Sequence, residues 1–367
     1  MYSKLTIKIG SNVLANNTGG LNHDRVSHLV DQIAALHHSG KKIVLVSSGA
    51  VASARGLIQM DKKLDRVSQR QVLSSVGQVK LTNIYSDLFA RHGIQVGQVL
   101  VTKQDFRTRD HYLNMKNCVS ALWQNNILPI VNENDAVSVT ALMFTDNDEL
   151  SGMMASMMGC KGLIILSNIN GIYNGHPEDP ESKVIRLISK KDEDLGKYIS
   201  TTKSDFGRGG MLTKCNIAKK TATSGIGVHI ANGTRDNVLI DLLKGDDSLE
   251  HTHFEASEPK PAIKQWMAYS DGFAKAEVKI NEGACNALYA PKANSLLLAG
   301  VVSFNGSFKK GDLLRIKNEQ NETIGIGKAA YDIKKAEEHL NDKKYKPLVH
   351  YDYLYLYPEL INETQKS

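Results

Sequence analysis

Apolar positions fall into two textures along the chain. Through the first 240 residues, short β-branched runs alternate with longer segments of helical period: Leu5 to Ile9, Lys42 to Val46, Val96 to Val101, Leu128 to Val131, Leu163 to Leu166 and Val228 to Ala231. Runs that are apolar throughout, joined by helix-length crossovers, predict a mainly parallel sheet sandwiched between helices. From His23 to His38, the residues Val26, Leu29, Val30, Ile33, Ala34 and Leu36 lie near one face, and Gly40 follows as a stop. The same period predicts helices over Gln69 to His92, His111 to Asn126 and Leu212 to Ser224. A buried helix rich in Met and Ala is expected over Leu150 to Met158, its methionines serving as core packing.

The texture changes after Lys244, where GDDSLEHTHFEASEPKPAIK is polar, holds two prolines and keeps no sustained period. It reads as a loosely ordered connector. His251 and His253 within it could form half of a metal site, but with no third ligand evident they read as residues of a solvated loop. Beyond it, alternating runs at Ala276 to Ile280, Ser295 to Val302, Asp312 to Ile316 and Ile324 to Ala329 are separated by glycine or asparagine turns, which predicts a small, mostly β module. Tyr351 to Tyr357 alternate like a half-buried strand. The expected organisation is a larger unit over residues 1–258, a linker over 259–272 and the β-rich module over 273–358.

A length of 367 residues with 41% hydrophobic content exceeds what one core needs, in line with two domains. The net charge of +6 raises the question of a polyanionic partner. Residues 1–258 hold 29 basic and 26 acidic side chains and residues 259–367 hold 16 and 13, so the excess is spread and neither part reads as a strong polyanion binder. Cys118, Cys160, Cys215 and Cys285 lie far apart, which suits reduced thiols better than a disulfide frame or zinc site. MYSKLTIKIG enters a strand with no apolar signal core, and no stretch approaches the roughly 20 apolar residues of a membrane span. A soluble, cytoplasmic protein is expected.

In a doubly wound sheet, ligands sit beyond the carboxyl ends of the strands. Lys8 stands inside the apolar run LTIKIG, a costly place unless an anion awaits it, although a lysine can also snorkel from a strand end. Ser47, Ser48 and Gly49 follow the second strand and open a small-residue segment that can hold an anion on its amides or simply cap a helix. Asn132, Glu133, Asn134 and Asp135 crowd the end of another strand. Asp146, Asn147 and Asp148 open the Met-rich helix; they can cap it, or receive an ammonium or a metal-bound phosphate. GRGGMLTK, from Gly207 to Lys214, is a glycine-rich loop entering a helix, with the free amides and lysine of a phosphate cradle. There is neither a Walker-type loop nor the glycine loop and His-Arg-Asp of protein kinases.

Taken together and in this order, KIGSNVL from Lys8, SSGAVASAR from Ser47, VNENDAV from Val131, the Asp146-Asn147-Asp148 triad followed by Glu149 and Leu150, and GGMLTK from Gly209 resemble the amino-acid kinase family. EGACNAL, KANSLLLAGV and GSFKKGDLLRI in the tail resemble a PUA domain. The resemblance covers roughly nine tenths of the chain, and five motifs together are far more specific than any one. It implies an αβα sandwich with a mainly parallel sheet plus a small mostly-β PUA-like domain. Within the family the motifs point to phosphorylation of the side-chain carboxylate of free L-glutamate by ATP and Mg²⁺, the first step of proline biosynthesis. It further implies that Lys8 and Lys214 contact the transferred phosphoryl group and that Asp148 orients them. Ser48, Asp135 and Asn147 would bind glutamate. ATP would meet Lys8, Ser167, Asn168, Arg208, Gly209, Gly210, Met211, Leu212, Thr213 and Lys214. A homo-oligomer, feedback by proline and a downstream glutamyl phosphate reductase are further implications. The chain departs from the family where Ser167-Asn168 replaces Thr-Asp and Arg208 replaces a threonine, both on the nucleotide side.

Rival readings are a family member acting on aspartate, N-acetylglutamate, carbamate or a nucleoside monophosphate, and an RNA-binding protein acting through the PUA-like tail. A free amino group on the substrate is favoured by Asp135; strong RNA affinity is disfavoured by the weak charge excess and the lack of an aromatic stacking row. Gly225-Ile226-Gly227 leads into a strand rather than a helix, which argues against a dinucleotide fold.

Overall fold

The computed structural model describes residues 2–357, apart from 17, 56, 59–63, 107–108, 139–143, 145, 178, 191–210, 247, 260, 291–293, 341 and 343. Two units are present, residues 1–259 and 260–367. In the first, the six apolar runs become β1 (Lys4–Ile9), β2 (Lys42–Ser47), β3 (Val96–Val101), β4 (Leu128–Glu133), β5 (Gly162–Ser167) and β7 (Gly227–Asn232), and two further strands, β6 (Leu187–Ile188) and β8 (His251–Phe254), join them. They form one sheet in the order β3-β4-β2-β1-β5-β7-β8-β6. The pairs from β3 through β7 are parallel, and β8 runs antiparallel to β7. Strands β1, β2, β4 and β5 are buried almost end to end, as strands covered on both faces must be.

The helices are α1 (Ser11–Leu14), α2 (His23–His38), α3 (Ala50–Ala54), α4 (Arg66–Ala90), α5 (Arg109–Gln124), α6 (Asn147–Met158), α7 (Met211–Thr223) and α8 (Val238–Lys244). Local chemistry starts the long ones. The Asn22 side chain accepts the Arg25 N–H to cap α2, and Asp65 accepts those of Val67 and Ser68 to cap α4. The apolar faces of α2 and α4 close over β1 and β2, with Leu29, Ile33, Leu81, Tyr85 and Phe89 in a shared core. The Met-rich α6 is buried from Leu150 to Met158, so its methionines are core packing.

The polar stretch after Lys244 differs from its reading as a connector. His251–Phe254 form β8, and the two histidines are half-buried in a sheet rather than set in a loop: His253 stacks on His229 of β7 with ring centroids 4.3 Å apart and planes 7° from parallel. Among the described residues no group of three or more His, Cys, Asp or Glu side chains comes together as a metal site. The Tyr2 hydroxyl lies 2.9 Å from His229 Nε2. Burial, then the neighbouring His253 and His251, push the His229 imidazole down to about 3. A folded-state value below the unfolded one means that the unfolded chain binds the proton first, so this stability is present above the ordinary histidine range and is lost as pH falls toward 3. Thermal unfolding should therefore steepen in its loss of stability below about pH 6, and His229→Gln should flatten that acid limb. An unchanged limb would mean the stack does not govern acid unfolding.

In the second unit, α9 (Ala262–Ala268), α10 (Glu282–Tyr289) and α11 (Ile333–Glu338) accompany a five-stranded sheet. Its strands are β9 (Ala276–Ile280), β10 (Val301–Asn305), β11 (Leu313–Lys317), β12 (Thr323–Lys328) and β13 (Leu354–Leu356), in the order β10-β9-β11-β12-β13. Residues read as a linker thus include a helix, and its Trp266 and Met267 are buried. The tyrosine run is only partly strand, since Tyr351–Tyr353 form a 3₁₀ turn before β13.

Candidate active site

Lys8 is the fifth residue of β1 and pairs in register with Val46 and Ile165, at the carboxyl end of the middle of the sheet. Its side chain is only 5% exposed, and its ammonium lies 2.5 Å from Asp148 Oδ1. From the first turn of α7, Lys214 places its ammonium 2.5 Å from the other oxygen, Oδ2. One fully buried carboxylate therefore holds two ammoniums, and the cluster carries a net positive charge in a water-poor site. Burial alone would raise the Asp148 carboxyl, but Lys8 and then Lys214 outweigh it and hold the group at about 2. Burial lowers the Lys8 ammonium below the usual lysine range, with Asp148 opposing and Lys214 reinforcing the shift. Burial disfavours the charged lysine, and the aspartate favours it.

The start of α6 is built by its own sequence. Asp146 Oδ1 accepts the N–H groups of Asp148 and Glu149 at 2.9 and 3.1 Å, which caps the helix and presents Asn147 and Asp148 to the site. Burial, and next the Asp148 charge, push the Asp146 carboxyl above its usual range. Its Oδ2 and the Asn147 Oδ1 are buried with no hydrogen-bond partner among the described residues.

Beside this cluster, Gly49 takes φ +106°, a left-handed turn that suits glycine and swings the chain from β2 into α3. Ser47 is tied down by a 2.7 Å contact with the Tyr85 hydroxyl of α4, and the Ser48 N–H donates to Ile9 O at 3.2 Å. Asn147 Nδ2 donates to Ser48 Oγ at 2.9 Å and to Asn132 Oδ1 at 3.1 Å. Ser48 and Asn147, two of the sequence candidates for glutamate binding, thus touch. Asp135, the third, sits after β4 and pairs with Arg70 of α4 at 2.7 Å, with Glu133 also 3.8 Å from that guanidinium. Nothing in the sequence marks Arg70, because its partners lie 63 and 65 residues away and only the packing of α4 on β4 brings them together.

On the nucleotide side, Ser167 ends β5 and its hydroxyl is 3.5 Å from Asn168 Oδ1. Ser167 is buried and Asn168 exposed. Met211, Leu212, Thr213 and Lys214 form the first turn of α7, while Arg208, Gly209 and Gly210 lie outside the described residues. The arrangement is one buried cationic pair at the carboxyl edge of a parallel sheet, flanked by a polar pocket and by helix N-termini. It suits transfer of an anionic group between anionic partners.

This is a phosphotransferase arrangement on a nucleotide-binding α/β fold, and the chain belongs to the amino acid kinase family: the family's sequence profile matches residues 3–232, and that of the PUA domain matches residues 276–346. Curated proteins named glutamate 5-kinase are similar over nearly the whole length. That of Bacteroides thetaiotaomicron is 54% identical over 356 residues, covering 97% of this chain and 99% of the relative. That of Chlorobaculum tepidum is 46% identical over 359 residues, covering 98% of each. Among solved structures, the UMP kinase from Ureaplasma parvum superposes with a TM-score of 0.50 at 14% identity, covering 70% of this chain and 99% of that one. Carbamate kinase from Giardia lamblia gives 0.50 at 16%, with the same coverage. At such identity these two speak for the fold alone.

Proposed function

We propose that this chain is a cytoplasmic glutamate 5-kinase, which transfers the γ-phosphoryl group of MgATP to the side-chain carboxylate of L-glutamate, giving L-glutamyl 5-phosphate and ADP. The observation that carries the reading is the Lys8–Asp148–Lys214 cluster, with 2.5 Å contacts on both sides of the aspartate. The near full-length likeness to proteins of that name supports the substrate. No described helix is long and apolar enough to cross a membrane.

A side-chain carboxylate with an ordinary pKa of about 4.3 is ionised at neutral pH, so the nucleophile needs no general base. One of its oxygens bonds to the γ-phosphorus while the bond from that phosphorus to the bridging oxygen of ADP breaks, and the electron pair leaves with ADP. The difficulty is the approach of an anion to a triphosphate. Lys8 and Lys214 neutralise the equatorial oxygens, and Asp148 keeps both ammoniums charged and aimed without drawing on solvent reorganisation. Mg²⁺ enters with the nucleotide as part of that substrate. Ser167, Asn168 and the Arg208 to Lys214 segment hold the nucleotide. Ser48, Asp135 and Asn147 hold glutamate, and Asp135 shares its charge with Arg70. The product is a reactive mixed anhydride, so a reductase that consumes it, as in proline biosynthesis, is the natural next step.

Hydroxylamine traps such an anhydride as a hydroxamate. With MgATP and glutamate, aspartate or N-acetylglutamate in turn, hydroxamate is expected from glutamate alone and is expected to vanish in Lys214→Ala. Hydroxamate from another acid, or from none, would displace the substrate assignment.

The chain also works as a homo-oligomer in this reading. Val72, Val76 and Val79 make an exposed apolar stripe along α4 at helical spacing, next to the exposed Leu100 on the edge strand β3. A double substitution, Val76→Glu with Val79→Glu, should reduce the mass seen by light scattering to that of one chain. A wild-type mass of one chain would contradict the oligomer, and an unchanged assembly in the variant would place its interface elsewhere.

A further inference from the structure

Ser48 and Asn147 are joined to the far side of α4 by a chain of buried side-chain amides whose directions are all fixed. The Asn132 Oδ1 accepts the backbone N–H of Glu133 at 2.9 Å. A backbone N–H can only donate, so this atom must be the oxygen, and the Asn132 Nδ2 must point the other way. There it donates to Gln78 Oε1 at 2.8 Å, both groups being buried. The Gln78 amide is in turn oriented by Thr82: that hydroxyl spends its hydrogen on Gln78 O at 2.8 Å and accepts from Gln78 Nε2 at 3.3 Å. It also accepts from Gln98 Nε2, at 2.7 Å.

The consequence falls on Asn147. Facing an oxygen that can only accept, its atom 3.1 Å from Asn132 must be the Nδ2 donor, and the same Nδ2 donates to Ser48 Oγ at 2.9 Å. An amide direction that is usually a matter of assignment is here dictated by the backbone at Glu133. Two things follow. The Asn147 Oδ1, buried and without a hydrogen-bond partner among the described residues, is an acceptor turned to the site. Because Ser48 Oγ already accepts, its hydrogen is left to donate.

We propose that Gln78 and Asn132 are positioning residues that set the polarity of the substrate pocket, obliging Asn147 to offer an acceptor to the α-ammonium of an amino acid and Ser48 to offer a donor to a carboxylate. The inference rests on the glutamate reading above and explains how the pocket tells an amino acid from the same acid without its amino group. Without Asn132, only Ser48 orients the Asn147 amide. A hydroxyl can donate or accept, so the amide is free to reverse and show its NH₂ to the ammonium. A buried donor facing a cation disfavours the amino acid and leaves the plain diacid unaffected.

The test compares kcat/KM for L-glutamate with that for glutarate, the same five-carbon diacid lacking the ammonium, in the full-length protein and in Asn132→Ala, Gln78→Leu and Asn132→Asp. The glutamate-to-glutarate ratio is expected to shrink by about tenfold in Asn132→Ala, the worth of one buried hydrogen bond to a charged group. Gln78→Leu should shrink it less, and Asn132→Asp, which keeps the accepting oxygen, should preserve it. General loosening of the fold lowers both kcat/KM values together and leaves the ratio alone. An unchanged ratio in Asn132→Ala, with the unmodified protein active on glutamate, would overturn the inference by itself. No glutamate turnover by the unmodified protein would overturn the substrate reading, and the inference with it.

Discussion

Replacing Asp148 with asparagine is expected to lower kcat by about 10²–10³-fold, the scale seen when one preorganised charge-stabilising group is removed from an active site. The amide cannot balance two ammoniums that each lie 2.5 Å from a carboxylate oxygen in the native chain. Lys8, already lowered by burial and by the presence of Lys214, then loses the one neighbour that most raises its pKa. Its charged form is then disfavoured further, which weakens the cationic pair. Removing one partner of a buried ion pair also costs roughly 3–5 kcal/mol of stability, because the remaining charge is left desolvated. Steady-state kinetics with both substrates and urea unfolding check the two parts separately. A kcat within a few-fold of the native value would show that the lysines do not need Asp148.

Gly77→Ala is expected to damage the protein through packing alone. A Cβ at residue 77 would stand 1.7 Å from the carbonyl oxygen of Ala50 and 3.1 Å from the Ala54 Cβ. Backbone is in the way, so α3 and α4 must move apart. The expected loss is about 1–3 kcal/mol or more, the usual cost of overpacking a well-filled core. The displacement also reaches the site, since Ala50 follows directly on Ser48 and the left-handed Gly49. KM for glutamate should rise along with the loss of stability, whereas the exposed neighbour Ser75→Ala should change stability by no more than about 0.5 kcal/mol. A Gly77→Ala protein as stable and as tight for glutamate as the native one would contradict the packing account.

Much of this was legible in the chain because two physical signals were strong. Strands buried on both faces, such as those around Ile7, Val44 and Ile164, leave uninterrupted apolar runs, and their positions were read to within two residues. Lys8 stands out because a cation inside such a run must have a partner, and Asp148 because acids at a helix start attract attention for the same reason. Strand β8 was hidden because HTHF carries its core contacts on Thr252 and Phe254 while its half-buried histidines look polar, and their ring contacts with His229 are ones that no periodicity encodes. The helix α9 was hidden by the flanking prolines that made its surroundings read as a linker. In the site, Gln78 and Arg70 look like ordinary polar positions on an amphipathic helix. Their meaning comes from partners more than fifty residues away, which only the folded sheet brings within reach.

The most direct test of the account is a single-turnover reaction with ATP labelled in its γ-phosphoryl group, quenched after milliseconds and separated into protein, glutamate and nucleotide fractions. The label is expected to pass straight from ATP to glutamate at the rate of ADP formation, with none retained on the protein, and Lys8→Ala and Lys214→Ala should each abolish the transfer. Label on the protein before it reaches glutamate, or transfer undiminished in the lysine variants, would contradict in-line transfer at the Lys8–Asp148–Lys214 cluster.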